Sequence, residues 1–208
     1  MSERKDLFDN WAAHYDESLQ ETAGFPFEGY DEVLTGVVSG AGVEAGAKVL
    51  DIGTGTGALA ARLAALGCRV LGVDLSEEML DRARKTVSTA DFQQLDLLGD
   101  WGDLGTHRFD AVVSAYVFHE FDVETKRKLL TRLIGLLKPG ARVVVGDISF
   151  QTAGARNVAY RRWQDVWDES EHYWVAEDAL PELQNAGLHV FYRRVSFCAG
   201  VYVLRPRT

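Results

Sequence analysis

Three glycines at alternate positions, Gly53, Gly55 and Gly57, follow an apolar run that carries one acid, Asp51, in Lys48-Val-Leu-Asp-Ile-Gly-Thr-Gly-Thr-Gly-Ala-Leu59. Glycine is needed where a backbone turns with positive φ or lies against a ligand without a Cβ, so this spacing predicts a tight strand-to-helix turn. Such a turn leaves the first N–H groups of the helix free to meet a bound molecule. Gly53, Gly55 and Ala58 also satisfy the G-x-G-x-x-G/A pattern of dinucleotide binding, and Asp74, 21 positions after Gly53, supplies the acid expected about 20 positions on. The pattern alone therefore admits NAD. Asp51 argues against it, because a carboxylate two residues before the first glycine would face the anionic pyrophosphate. S-adenosylmethionine carries an ammonium and a sulfonium and no phosphate, which reverses the sign of that interaction, and it is the ligand we prefer at this turn.

Further acids recur at the ends of expected strands. Asp51, Asp74, Asp96 and Asp147 all fall there, and although one or two of them could be caps or turn residues, four at one edge of a sheet suggest a ligand edge. His119 and Glu120 lie in Ala115-Tyr-Val-Phe-His-Glu-Phe121 after the fourth strand. A histidine near pH 7 can remove a proton from an acceptor that binds protonated, and Asp147 is a second candidate for that work. The competing reading is that His119 and Glu120 pin the loop or cap the next helix.

The elements that would position these groups alternate in type. After the glycine turn, residues 58–66 read as a helix closed by Gly67, and 68–74 as a buried strand ending at Asp74. Ser76 and Asp122 read as helix N-caps. Residues 92–95, 109–115 and 141–145 read as the third, fourth and fifth strands, the last ending toward Asp147, and Lys138-Pro-Gly140 reads as the stop of the preceding helix. Alternation of this kind implies a parallel sheet with right-handed crossovers and a ligand at the carboxyl ends of its strands. Near the end, residues 188–195 and 198–204 are joined by a two-residue link and must pair antiparallel.

Two segments flank this core. Residues 6–19 and 29–38 read as short helices, the first amphipathic through Leu7, Phe8, Trp11 and Tyr15, and together they could cap the glycine turn. Residues 160–174 hold Tyr160, Trp163, Trp167, Tyr173 and Trp174. They are placed where they can cover an acceptor, while Trp163 and Trp167 at i, i+4 favour packing into the core.

Composition bounds the rest. With 208 residues, 47% hydrophobic and 25% charged, the chain has the makings of one domain, 1–208, divided into a cap at 1–40, a cofactor-binding core at 47–150, an aromatic segment at 151–175 and a final helix with hairpin at 176–208. Nine acids against Arg4 and Lys5 in residues 1–40 concentrate much of the net charge of −9 and argue against nucleic acid as the main partner. No apolar run approaches the roughly 20 residues of a membrane span, so no membrane partner and a cytoplasmic location are expected. Cys68 and Cys198 lack metal-like spacing and read as buried thiols. No metal is expected, and the assembly is a monomer or homodimer.

With these residues in place, the chain resembles class I S-adenosylmethionine-dependent methyltransferases of the small-molecule type, and more loosely a group of YrrT-like bacterial methyltransferases. The resemblance spans nearly the whole sequence. It rests on Val49-Leu-Asp-Ile-Gly-Thr-Gly-Thr-Gly57, Gly72-Val-Asp-Leu-Ser76 with Glu78-Met79-Leu80, Leu95-Asp96, Leu136-Leu-Lys-Pro-Gly140, the terminal hairpin, and Phe8-Asp-Asn-Trp-Ala-Ala-His-Tyr-Asp16. It implies a three-layer, Rossmann-like α/β sandwich around a seven-stranded, mostly parallel sheet in the order 3-2-1-4-5-7-6, the last strand antiparallel, with an N-terminal helical cap. It also implies that Gly53, Thr54, Gly55, Thr56 and Gly57 lie against the methionine portion of the cofactor, with Asp51 near its ammonium. Asp74 would accept from the ribose hydroxyls and Asp96 from the adenine amino group. Leu75, Met79 and Leu97 would touch the ring, Ser114 and Ala115 would flank the methionine portion, and Tyr15 would close over the ligand. His119 and Glu120 lie where such proteins place residues facing a small-molecule acceptor. Two other functions stay open at this point: a nicotinamide-dependent oxidoreductase, and a catalytically silent protein that only binds S-adenosylmethionine.

Overall fold

The structure, a computed structural model, describes residues 24–207. Tyr15 and the expected helix at 6–19 lie outside the described residues. The strands are β1 (Lys48–Ile52), β2 (Arg69–Asp74), β3 (Asp91–Gln94), β4 (Phe109–Ala115), β5 (Leu137–Phe150), β6 (Trp174–Val175), β7 (Leu188–Arg194) and β8 (Ala199–Pro206). The helices are α1 (Tyr30–Ala41), α2 (Ala58–Ala65), α3 (Glu77–Thr86), α4 (Val123–Ile134), α5 (Ala153–Arg162) and α6 (Ala176–Asn185).

Across the sheet the strands run β3-β2-β1-β4-β5-β8-β7. β8 is antiparallel to both β5 and β7, and the other pairings are parallel. The expected order is therefore present with one strand more than expected. β6 pairs parallel with Ser149 and Phe150 of β5, off the main path, and makes the sheet eight-stranded. It has somewhere to pair because β5 runs to Phe150 instead of stopping near Val145. Asp147 consequently sits inside a strand and not at its end. Burying an acid there is tolerable only when its oxygens are fully hydrogen-bonded, and they are, as shown below. Lys138, Pro139 and Gly140 likewise belong to the start of β5, since α4 has already ended at Ile134.

Each face of the sheet carries its own apolar cluster. Val33, Leu34 and Val37 of α1 with Leu59 and Leu63 of α2 cover one, and Leu129, Leu130 and Leu133 of α4 with Leu183 of α6 cover the other. Strand alternation divides β1 between them, Val49 facing the first cluster and Leu50 and Ile52 the second. α1 lies close to the sheet because Gly146 of β5 has no side chain, and a Cβ there would come within 2.6 Å of both Val33 and Val37. Ser76 and Asp122 cap α3 and α4 as expected, accepting from Met79 N–H at 3.2 Å and Thr125 N–H at 2.7 Å, contacts typically worth about 1 kcal/mol each.

The aromatic segment packs into the core by a different geometry from the one expected. α5 ends at Arg162, Trp163 is its C-terminal cap, and a 3₁₀ turn at Gln164–Val166 separates it from Trp167. Trp167 stacks on Phe25 at 5.1 Å and meets Tyr173 edge-on at 4.7 Å, while Tyr173 meets Phe150 at 6.1 Å. This cluster anchors the 153–175 segment beside the carboxyl end of β5.

Candidate active site

β1 delivers Asp51 between Gly72 of β2 and Val113 of β4, fully buried. One carboxylate oxygen accepts from the Thr54 hydroxyl at 2.8 Å. Burial pushes the Asp51 carboxyl up to about 7, against the opposing hydrogen bond from Thr54 and with a further upward push from the charge of Asp74. A buried carboxyl held this high is a site that a cation would stabilise in its ionised form.

The three glycines after it do three different jobs, all at positive φ (64°, 55° and 91°). A Cβ on Gly53 would lie 2.2 Å from Val117, so no side chain fits between the glycine turn and the segment after β4. Gly57 packs on Ala83 of α3, where a Cβ would be 3.2 Å from the alanine's own. At Gly55 a Cβ would meet no heavy atom of the described residues within 4 Å. Among the described residues Gly55 is thus the open side of the turn. Thr54 and Thr56 point inward and are buried. Asp74 ties the turn to β2: one oxygen accepts from Gly55 N–H at 2.9 Å and the other from Ser76 N–H at 3.0 Å. Asp51, the Gly53–Gly57 turn and Asp74 therefore form one continuous edge, and an S-adenosylmethionine-type ligand, cationic at one end and carrying hydroxyls in its middle, fits the charges they present.

The remaining cofactor candidates divide. Asp96 and Leu97 are half-buried beyond β3, with Asp96 accepting from Leu98 N–H at 2.8 Å. Leu75, which follows Asp74, is half-buried, and Met79 in the first turn of α3 is buried. Ser114 is fully buried and its hydroxyl donates to Ile52 C=O at 2.9 Å, so it pins β4 to β1, whereas Ala115 at the strand end is half-buried. The next residue, Tyr116, holds φ 56°, a conformation that is strained for a large side chain and typical of functional turns. Its ring stacks on Tyr30 of α1 at 5.3 Å.

That turn leads to His119, in a 3₁₀ turn at Phe118–Glu120. The structure joins two residues that the sequence offered as separate candidates. His119 Nδ1 lies 2.6 Å from one oxygen of Asp147, and His119 N–H donates to the other at 2.8 Å. Asp147 also accepts from Ile148 N–H at 2.8 Å and from the Trp174 indole N–H at 3.0 Å, which accounts for its complete burial. With Nδ1 committed, Nε2 is the nitrogen left to face outward. It lies 3.7 Å from Glu120 and 3.6 Å from Glu171, too far for hydrogen bonds. Burial pulls the ring's pKa down, but Asp147, Glu171 and Glu120 outweigh it and hold the ring at about 8. Left alone at pH 7 the ring is mostly protonated, the wrong form for a proton acceptor.

Glu171 and Lys126 belong to this cluster and were not named from the sequence, whereas Tyr173 and Trp174 come from the aromatic segment expected to cover an acceptor. Burial raises the Glu171 carboxyl, opposed by His119 and by a hydrogen bond from Tyr173. The Lys126 ammonium is buried over the Trp174 ring at 4.7 Å and donates to His172 C=O, and burial pulls it down to about 8. His172 N–H donates to His119 C=O at 2.6 Å, the contact that carries Glu171 to the imidazole. No local pattern announces Glu171; that hydrogen bond and the aromatic anchoring of its segment bring it there. A separate cleft of about 630 Å³, lined by Arg142, Arg193 and Arg205, contains none of these residues.

A family model described as a methyltransferase domain matches residues 49–140, the stretch from β1 to the start of β5. An uncharacterised methyltransferase of Geobacillus kaustophilus is 32% identical over 189 residues, covering 86% of this chain and 85% of the relative. The uncharacterised methyltransferase YrrT of Bacillus subtilis is 32% identical over 195 residues, covering 86% of each. Among solved structures, magnesium protoporphyrin IX methyltransferase from Synechocystis PCC 6803 with bound S-adenosylhomocysteine is similar in fold, with a TM-score of 0.72 and 20% identity, covering 100% of this chain and 99% of the other.

Proposed function

From the premise that the chain belongs to the S-adenosylmethionine-dependent methyltransferase family, we propose that its acceptor is a small molecule bound beside His119, Glu120 and Asp147. Family membership removes the nicotinamide reading that the glycine pattern alone left open. The observation that carries the proposal is the enclosure of the polar cluster. The His119 side chain is 9% exposed, and Glu120 and Glu171 are 24% and 20% exposed, between the turn after β4 and the 153–175 segment. This enclosure favours an acceptor small enough to enter over one held within a folded macromolecule. The magnesium protoporphyrin IX enzyme, named for a small acceptor, supports the reading by analogy.

Bound S-adenosylmethionine supplies an activated methyl group and a good leaving group. The protein's task is then alignment, which can carry much of the acceleration. We assign Asp51 to the amino group, the open face at Gly55 to the methionine portion, Asp74 to the ribose hydroxyls, and Asp96 with Leu75, Met79 and Leu97 to the adenine. Asp147 holds the His119 ring by Nδ1, and His119 Nε2 and Glu120 meet the acceptor. No helix of the described residues is long and apolar enough to cross a membrane, and we assign the enzyme to the cytoplasm as a monomer or homodimer. The net charge of −9 supports the absence of a nucleic-acid partner.

The test is incubation with methyl-labelled cofactor and a cell extract separated by size. Label in the low-mass fraction, lost without the protein, is the expected result. Label confined to protein or nucleic acid, or to no fraction, would overturn the small-molecule assignment.

A further inference from the structure

We propose that His119 Nε2, Glu120 and Glu171 form a binding site for a divalent cation of the zinc or manganese type, open toward the methyl acceptor. Among the described residues these three side chains each offer one ligand atom, all within 4.8 Å of one another. An imidazole nitrogen with two carboxylates is a three-ligand set that leaves a fourth position free, the arrangement of catalytic rather than structural zinc sites. The two Nε2-to-oxygen separations, 3.7 and 3.6 Å, suit it. Ligands about 2.1 Å from one ion at tetrahedral angles stand about 3.4 Å apart, so a small movement of the carboxylates closes the site.

An acidic pair beside a histidine would not by itself argue for a cation. Four further observations do. Nε2 belongs to a ring that is nine-tenths buried, it makes no hydrogen bond among the described residues, and it is aimed between the two carboxylates. The other ring nitrogen is bonded to the buried Asp147, which fixes ring orientation and tautomer as outer-sphere carboxylates do for metal-bound imidazoles. Asp147 is itself held by Trp174 and two backbone N–H groups, and Tyr173 hydrogen-bonds Glu171, so the donors are supported from behind on both sides. The hydrogen bond from His172 to His119 fixes the separation of the two segments.

This inference rests on the assignment of the cluster to the acceptor and changes what His119 does there. A cation on Nε2 makes the ring a ligand. An acceptor hydroxyl entering the open position would then coordinate through oxygen and release its proton to solvent, which removes the need for an uncharged imidazole as base.

The experiment titrates the full chain with Zn²⁺ and with Mn²⁺ by calorimetry, and with Co²⁺ by visible absorption. One ion per chain is expected, with the intense visible bands of four- or five-coordinate cobalt. Glu171→Gln and Glu120→Gln, each checked by thermal melt, should weaken binding at least about tenfold. S-adenosylhomocysteine, titrated into the same samples, should bind both variants as it binds the parent chain. Absence of binding by Zn²⁺ and Mn²⁺ at millimolar concentration, or binding unchanged in both variants, would overturn the cation site. If the homocysteine compound still binds in that case, the methyltransferase reading stands without the cation. If cations bind and the homocysteine compound does not, the cofactor assignment fails and the cation site stands.

Discussion

If Asp51 holds the amino group of the cofactor, binding must be linked to loss of a proton from Asp51. Burial holds this carboxyl at about 7 in the free protein, so near neutrality a substantial fraction is protonated. An ammonium beside it favours the carboxylate and pulls its pKa down on binding. The sign follows: lowering the pH through 7 weakens the cofactor, because the ligand must first displace a proton. With a free-state value near 7, about three-quarters of the Asp51 carboxyls are ionised at pH 7.5 and about one-tenth at pH 6. Affinity should therefore fall about eightfold over that interval, roughly 1 kcal/mol. At pH 6.5 binding should release about three-quarters of a proton, read by calorimetry in buffers of different ionisation enthalpy. Asp51→Asn, with similar shape and no charge, should bind more weakly and lose both the pH slope and the proton release. A flat affinity between pH 6 and 7.5 in the parent chain, or a slope that survives in the asparagine variant, would refute the assignment.

Asp74→Ala removes the expected ribose acceptors and the anchor of Gly55, and should weaken the cofactor by about 2–4 kcal/mol in titration, on the order of two charge-assisted hydrogen bonds; unchanged affinity would show that Asp74 only holds the loop. Gly55→Ala places a methyl group where no described residue stands within 4 Å but at φ 55°, so a melt should show a loss of only about 1–2 kcal/mol from backbone strain, while cofactor affinity drops because the cradle is filled. A variant that binds the cofactor normally would mean the open face is not the cofactor's. Gly146→Val forces α1 away from the sheet and should lower stability by at least about 1–3 kcal/mol in denaturant unfolding; an unchanged midpoint would show that α1 is not tightly seated.

The parts of the fold that the sequence announces are those carried by local patterns. An apolar run broken by alternating glycines specifies β1 and its turn, because glycine takes the positive φ at Gly53, Gly55 and Gly57 without strain. Ser76 and Asp122 mark helix starts for an equally local reason, a side-chain oxygen that accepts a nearby backbone N–H. Asp147 misleads because acids usually end strands; what keeps it inside β5 is a set of donors from residues 119, 148 and 174, invisible until the chain folds. β6 is too short to show a period. His119 and Glu120 are nominated by their place after β4, but Glu171 reaches them through the His172–His119 hydrogen bond and the packing of Trp167 and Tyr173 on Phe25 and Phe150. Ser114 shows the converse, a residue in the expected place whose hydroxyl is spent on Ile52.

The most direct test of the whole account is a crystal structure of the protein with S-adenosylhomocysteine. The amino group should lie at Asp51, the ribose hydroxyls on Asp74, and the sulfur should point toward the space bounded by His119, Glu120 and Glu171. A ligand bound away from Asp51 and Asp74, or a sulfur walled off from His119 by intervening side chains, would contradict it.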